Sequence, residues 1–175
     1  MNLTTLTQNF NFKKVTDRVP EAMRNTAFLR LFGLAKVPMI FFCSPRVVEL
    51  SSQRCEIVIP LSRRTKNHLR SMYFGALCVG ADCAGGMIGM KIIEEEKVPV
   101  NLVFKDFKAE FLKRPEGDVH FSCENGVEIV AAVKRAMETG ERQNVSVPVV
   151  ATVPTKLGSE PVATFVLTLS LKKKK

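Results

Sequence analysis

NHLRSMYFGALCVGADCAGG, residues 67–86, decides how the rest of the chain is read. From Ser71 to Met90 the only charged side chain is that of Asp82, and Arg70 and Lys91 flank the run. Its length is about the 20 residues that a bilayer requires. Five glycines and a central acid suit that environment badly, because a charge at the bilayer centre is costly. A membrane span is therefore not expected. A helix that is apolar on all sides must instead be enclosed by the rest of the protein. An acid inside it calls for a reason, since burying a carboxylate without a partner is expensive.

Working outward, Pro20 and Gly33 bracket a first helix, with Val19, Met23, Ala27, Leu31 and Leu34 at near-helical spacing. The run MIFFCSPRVVEL (39–50) reads as a strand, Ser51 and Ser52 break it, and CEIVIPL (55–61) alternates as a second strand, so the two suggest a hairpin. Beyond the long helix, Val98, Val100, Leu102 and Phe104 alternate, and then the phase slips to Phe107, Ala109 and Phe111. Such a slip predicts a β-bulge near Lys105 and Asp106. The turn signal RPEGD (114–118) leads into the alternating VHFSC (119–123). Ile129, Val130, Val133, Ala136 and Met137 outline a short amphipathic helix that Gly140 ends. VSVPVVATV (145–153) and VATFVLTLSL (162–171), joined through Gly158, read as a closing hairpin. The expected fold class is α+β, a largely antiparallel sheet wrapped around one long helix.

The 175 residues suit one domain, divided here into an N-terminal helical extension (1–36), the main domain (37–171) and a basic tail (172–175). A net charge of +9 favours an anionic partner or ligand. A nucleic-acid partner is not expected, because basic and aromatic residues are not interleaved and no glycine-rich RNA motif occurs. Five scattered cysteines without a C-x-x-C pair are expected to be reduced, buried thiols. The first residues, MNLTTLTQNFNFKK, lack the apolar core of a secretory signal, so a cytoplasmic location is expected. His68 and His120 are the only histidines, and neither stands at metal-ligand spacing with another ligand. No metal is expected.

The stretch from Asn67 to Gly86 resembles the signature of phenylacetyl-CoA-type thioesterases of the hotdog fold, in which a curled antiparallel sheet surrounds a central helix. That pattern runs N-x-x-G-x-x-H-G-G, followed by apolar residues and then an Asp. Asn67 stands at its Asn, Gly75 at its last Gly and Asp82 at its acid, while Arg70, Tyr73 and Phe74 replace a Gly, the His and another Gly. The likeness extends over roughly residues 45–170, within the ordinary uncertainty of element boundaries. FLKRPEGDVHFSC (111–123) is similar to the family's strand-turn-strand hairpin.

The resemblance implies an acyl-CoA or related acyl thioester as substrate, coenzyme A only as part of it, and no separate cofactor. It also implies a homodimer or homotetramer with sites that take residues from two chains. The amides of Phe74 and Gly75 would polarise the thioester carbonyl at the positive end of the helix. Asp82 would activate water or attack directly, Asn67 would orient substrate or water, and Tyr73 would donate a hydrogen bond in place of the His. Tyr73 is a poor base at neutral pH because it holds its proton too tightly. Arg64, with Arg63 and Lys66, would meet the phosphates of coenzyme A.

Each residue also has a plainer use. Asp82 could serve a polar network at a subunit interface, Asn67 and Ser71 could cap the helix, and Tyr73 and Phe74 could simply pack. Arg64 could be a solvated charge. Cys78 shares a helix face with Asp82 but has no neighbouring histidine in sequence to activate it. The whole-protein alternatives are thus a thioester hydrolase and a non-catalytic acyl-CoA- or lipid-binding module.

Overall fold

The computed structural model describes residues 19–174; residues 1–18 of the expected N-terminal extension and Lys175 lie outside them. In chain order the elements are α1 (Glu21–Lys36), α2 (Pro38–Cys43), β1 (Arg46–Leu50), β2 (Cys55–Ile59) and α3 (Phe74–Glu95). They continue with β3 (Val100–Phe111), β4 (Val119–Cys123), α4 (Gly126–Thr139), β5 (Gln143–Thr152), α5 (Pro154–Leu157) and β6 (Pro161–Lys173). The six strands form one antiparallel sheet in the order β1-β2-β4-β5-β6-β3, curled around α3. This is the hotdog fold.

Enclosure of α3 follows from its sequence. Ala76, Leu77, Ala81, Ala84, Met87 and Ile88 are buried, as are the glycines between them. A Cβ at Gly80 would lie 2.3 Å from the Phe121 ring, so only glycine lets that ring rest on the helix backbone. The helix has the length and composition of a membrane span, yet its apolar faces are covered by the protein's own strands.

The expected bulge in β3 is present: register against β6 shifts between Phe104 and Asp106, and beyond it the rings of Phe107 and Phe111 meet Phe165 of β6. The β1–β2 and β5–β6 hairpins form as expected. α4 ends at Gly140 in the left-handed conformation (φ 73°) that favours glycine.

Three segments differ from the sequence expectation. Residues 39–43 are helical, not the start of a strand, and β1 begins only at Arg46. Pro38 opens α2 at a position that tolerates its missing N–H, and burial of Ile40 and Cys43 three residues apart rewards a helical turn. The second difference concerns residues 111–123, which do not form a hairpin. β3 pairs with β6, whereas β4 lies between β2 and β5. The connection crosses beside the start of α3, where Pro115 O accepts from the Met72 amide (2.9 Å). The third lies at the carboxyl end: Lys172 and Lys173 pair with Asn101 and Val100, so β6 runs into the segment assigned as a basic tail.

α1 is docked on the domain rather than appended to it. Lys91 Nζ donates to Glu21 (2.9 Å), Arg30 Nε to Pro45 O (3.0 Å), and the Val47 amide to Thr26 Oγ1 (2.8 Å). These contacts tie α1 to β1 and to Lys91 of α3, and α1 forms one wall of a cavity.

Candidate functional site

α3 begins without a side-chain cap. Its N-cap residue is Tyr73, which makes no capping hydrogen bond, and the amides of Phe74 and Gly75 have no partner among the described residues. Helix starts leave such donors open by construction, and the helix dipole adds positive potential there. The Tyr73 and Phe74 side chains are about half exposed, at 49% and 57%, with their rings 4.7 Å apart. Phe74 also meets Phe111 edge-on, and Phe111 and Phe107 both meet the buried Phe165. Together they make an exposed aromatic shelf next to the open amides.

The segment leading to that point is built by Asn67 and Thr65. Asn67 Oδ1 accepts from the amides of Leu69 (2.9 Å) and Ser71 (3.2 Å), and its Nδ2 donates to Ser71 Oγ (3.1 Å). This turn holds Arg70 at φ 63°, an unusual conformation for a side-chain-bearing residue. Thr65 O then accepts from the Tyr73 amide (2.8 Å). Asn67 and Ser71 therefore occupy one another, and neither caps α3. Arg64 lies over the Phe42 ring of α2, 5.7 Å from its centre, within cation–π range and exposed to solvent.

Asp82 stands elsewhere. Two turns down α3, it faces a cavity of about 740 Å³ walled by α1, α2, α3 and the first half of β3. None of Asn67, Ser71, Tyr73, Phe74, Gly75 or Arg64 lines that cavity. The carboxylate has no hydrogen bond or ion pair to any described residue, and burial raises its pKa from 3.8 to about 6. It is half-buried, so the cost of holding its charge is met neither by full hydration nor by a neighbour. The neighbouring Cys83 thiol is pushed far up, chiefly by burial and then by the Asp82 charge, and burial also raises Cys78. Both therefore favour the protonated thiol, a poor nucleophile.

The expected site residues are thus divided into two places. One is the cluster at the start of α3; the other is the acid facing the cavity. Sequence reasoning missed the part played by α1 and α2, whose Leu29, Phe32 and Ile40, with Val37 between the two helices, help line that cavity. A signal was present: besides the stripe through Met23, Ala27, Leu31 and Leu34, α1 carries Phe28, Leu29 and Phe32, so more than one side needs cover. Among the described residues no group of three His, Cys, Asp or Glu side chains is placed to hold a metal ion. His120 lies away from the site, with Nδ1 2.7 Å from Glu56 Oε1 across β2 and β4.

Fold and cavity together define a hotdog domain with an acid on its central helix. Solved structures agree on the fold. A protein of unknown function from Chlorobaculum tepidum is 15% identical, with a TM-score of 0.75 over 87% of this chain and 97% of its own. A thioesterase family protein from Silicibacter pomeroyi is 19% identical, with a TM-score of 0.61 over 85% and 99%. A thioesterase from Haemophilus influenzae is 16% identical, with a TM-score of 0.61 over 82% and 88%. No curated protein sequence matches the chain. Residues 24–169 match the domain of unknown function DUF4442, and the chain belongs to that family.

Proposed function

We propose that the protein is an acyl-CoA thioesterase in which Asp82 and the start of α3 act on the same carbonyl from two different subunits. The observation that carries this reading is Asp82: a half-buried carboxylate with no partner among the described residues, opening on a largely apolar cavity inside a hotdog fold. Similarity of fold to proteins called thioesterases supports the class of reaction.

The two-subunit arrangement follows from helix geometry. Phe74 and Asp82 are eight residues apart, about 12 Å along the axis. A carbonyl held by the amides of Phe74 and Gly75 is therefore out of reach of Asp82 in the same chain. A second copy, docked so that the two helices run past one another, closes that gap. β3 supplies a suitable edge, since among the described residues it ends the sheet with an unpaired side, and it carries the exposed Val103, Phe107 and Phe111. The shelf formed by Tyr73, Phe74, Phe107 and Phe111 would be covered by the same contact.

In the reaction, the Asp82 carboxylate takes a proton from water as the water oxygen bonds to the thioester carbon. The two amides of the partner's helix start stabilise the resulting oxyanion. Collapse breaks the carbon–sulfur bond, the thiolate of coenzyme A takes the proton back from Asp82, and the carboxylic acid leaves. Arg64, exposed to solvent, would meet the phosphates of coenzyme A. The free cysteines suit a reducing compartment such as the cytoplasm.

One observation favours the non-catalytic binding module instead. The Tyr73 ring lies so close to Gly75 that a Cβ there would be 2.4 Å from it, which crowds the approach to that amide. A panel of short, medium, long and aromatic acyl-CoAs separates the two readings. Wild-type hydrolysis of at least one member, with a loss of about 100-fold or more in Asp82→Asn, is the expected result. Tight binding without turnover would establish the binding module. Full activity in Asp82→Asn would refute the mechanism while keeping the class.

A further inference from the structure

The cavity beside α3 makes the thioesterase reading more specific, and the inference below rests on that reading. Its volume of about 740 Å³ falls within the range of small-molecule pockets. It runs along α3 from Asp82 to Glu94, twelve residues and hence about 18 Å at the helical rise. Lys36, Glu94, Asn101 and Lys174, which also line it, are exposed and belong to its rim. Inside, Asp82 is the sole charged side chain among the described residues.

The walls match one kind of occupant. Leu29 and Phe32 come from α1, Ile40 from α2, Met87 and Met90 from α3, and Phe104 from β3. Gly86 opens the middle of the α3 wall: a Cβ there would reach the Phe104 ring at 3.4 Å, an ordinary contact, so a larger side chain would project into the space. A short or aromatic acyl group at Asp82 would leave most of this length without contacts. A flexible chain of methylenes fills it, and two methionines adapt readily to such a chain.

We infer that the cavity is an acyl slot for an unbranched aliphatic chain. The thioester carbonyl lies at Asp82 and the methylenes run toward Met90 and Ile93. The α1–α2 segment is the wall that sets how long a chain fits, and Gly86 is a specificity-determining residue.

Binding to Asp82→Asn, measured by calorimetry, isolates this claim from turnover. Butanoyl-, octanoyl-, dodecanoyl- and hexadecanoyl-CoA should bind with affinity rising by about fourfold per added methylene until the slot is full. Adding Gly86→Leu should move that plateau to shorter chains, and adding Phe32→Ala should move it to longer ones. Opposite shifts from two substitutions would not arise from a general loss of folding. Affinity that does not depend on chain length, or a plateau that neither substitution moves, would overturn the assignment. Such a result would mean that the slot is filled by the partner subunit or holds no chain. A rising series in binding with no hydrolysis by the wild type would sink the hydrolase reading and keep the slot. Hydrolysis of short acyl-CoAs with a flat series would do the reverse.

Discussion

The two sides of α3 use the absence of a side chain in opposite ways. On the sheet side Gly80 admits the Phe121 ring to within 2.3 Å of where a Cβ would stand, so the missing atoms are replaced at once by aromatic carbon. On the α1 side Gly86 has only an ordinary contact with Phe104, and the space in front of it belongs to the cavity. Asp82 opens on that second side. One helix thus has a glycine that serves close packing, Gly80, and a glycine that leaves room, Gly86. The lesson is that glycine content alone does not separate core from site; what stands opposite each glycine does.

The strongest way to break this contrast is through Asp82 itself. Its folded-state pKa is raised from 3.8 to about 6, so between those values the native protein keeps a proton that the unfolded chain has lost. Stability then falls as pH rises through that window, and the deficit is complete above it. Asn carries no such deficit, and a shift of this size corresponds to up to about 3 kcal/mol. Urea unfolding of Asp82→Asn and wild type at pH 4 and pH 8 should show the variant gaining on the wild type by up to that amount at the higher pH. A gap of equal size at both pH values would mean that Asp82 is well solvated. The activity of the wild type should rise as Asp82 deprotonates near pH 6, the form required of a base.

The glycines sharpen the comparison at smaller amplitude. Gly80→Ala should destabilise the protein by about 2 kcal/mol, because the new methyl displaces the Phe121 ring from the middle of the core. Asn67→Ala should come next, at about 1 kcal/mol, by removing the acceptor that holds the turn at Leu69 and Ser71. Its kcat per folded molecule should fall far less than that of Asp82→Asn; an equal loss would return Asn67 to a direct role in the chemistry. Gly86→Ala should have the smallest effect and the opposite sign. Alanine gains up to about 1 kcal/mol over glycine within a helix, and here no close neighbour opposes it. Thermal or urea midpoints of these variants measure the order directly. A Gly86→Ala loss as large as that of Gly80→Ala would show that the cavity face is as tightly packed as the sheet face.

Much of this arrangement was legible in local spacing. The bulge at Lys105 was visible because an extra residue shifts a period of two, and the end of α4 was visible because Gly140 suits a left-handed stop. Residues 39–43 misled because a short apolar run has no period of its own; the turn set by Pro38 and the burial of Ile40 and Cys43 made it a helix. The crossing from β3 to β4 resembled a hairpin because a turn signal between two strands does not say whether they pair. Asn67 and Ser71 stood four residues apart in sequence, but only their mutual hydrogen bonds revealed that they occupy each other.

By itself, the sequence determined that a long helix, free of charge from Ser71 to Met90 except at Asp82, is enclosed by antiparallel strands. Periodicity and the cost of exposing apolar surface are local properties, and they can be read residue by residue. Tertiary structure alone decided which strand lies beside which, that α1 and α2 wall a cavity, and that Asp82 opens on it two turns away from the unpaired amides. These depend on contacts between residues far apart in the chain, where packing chooses among arrangements that local spacing leaves equal.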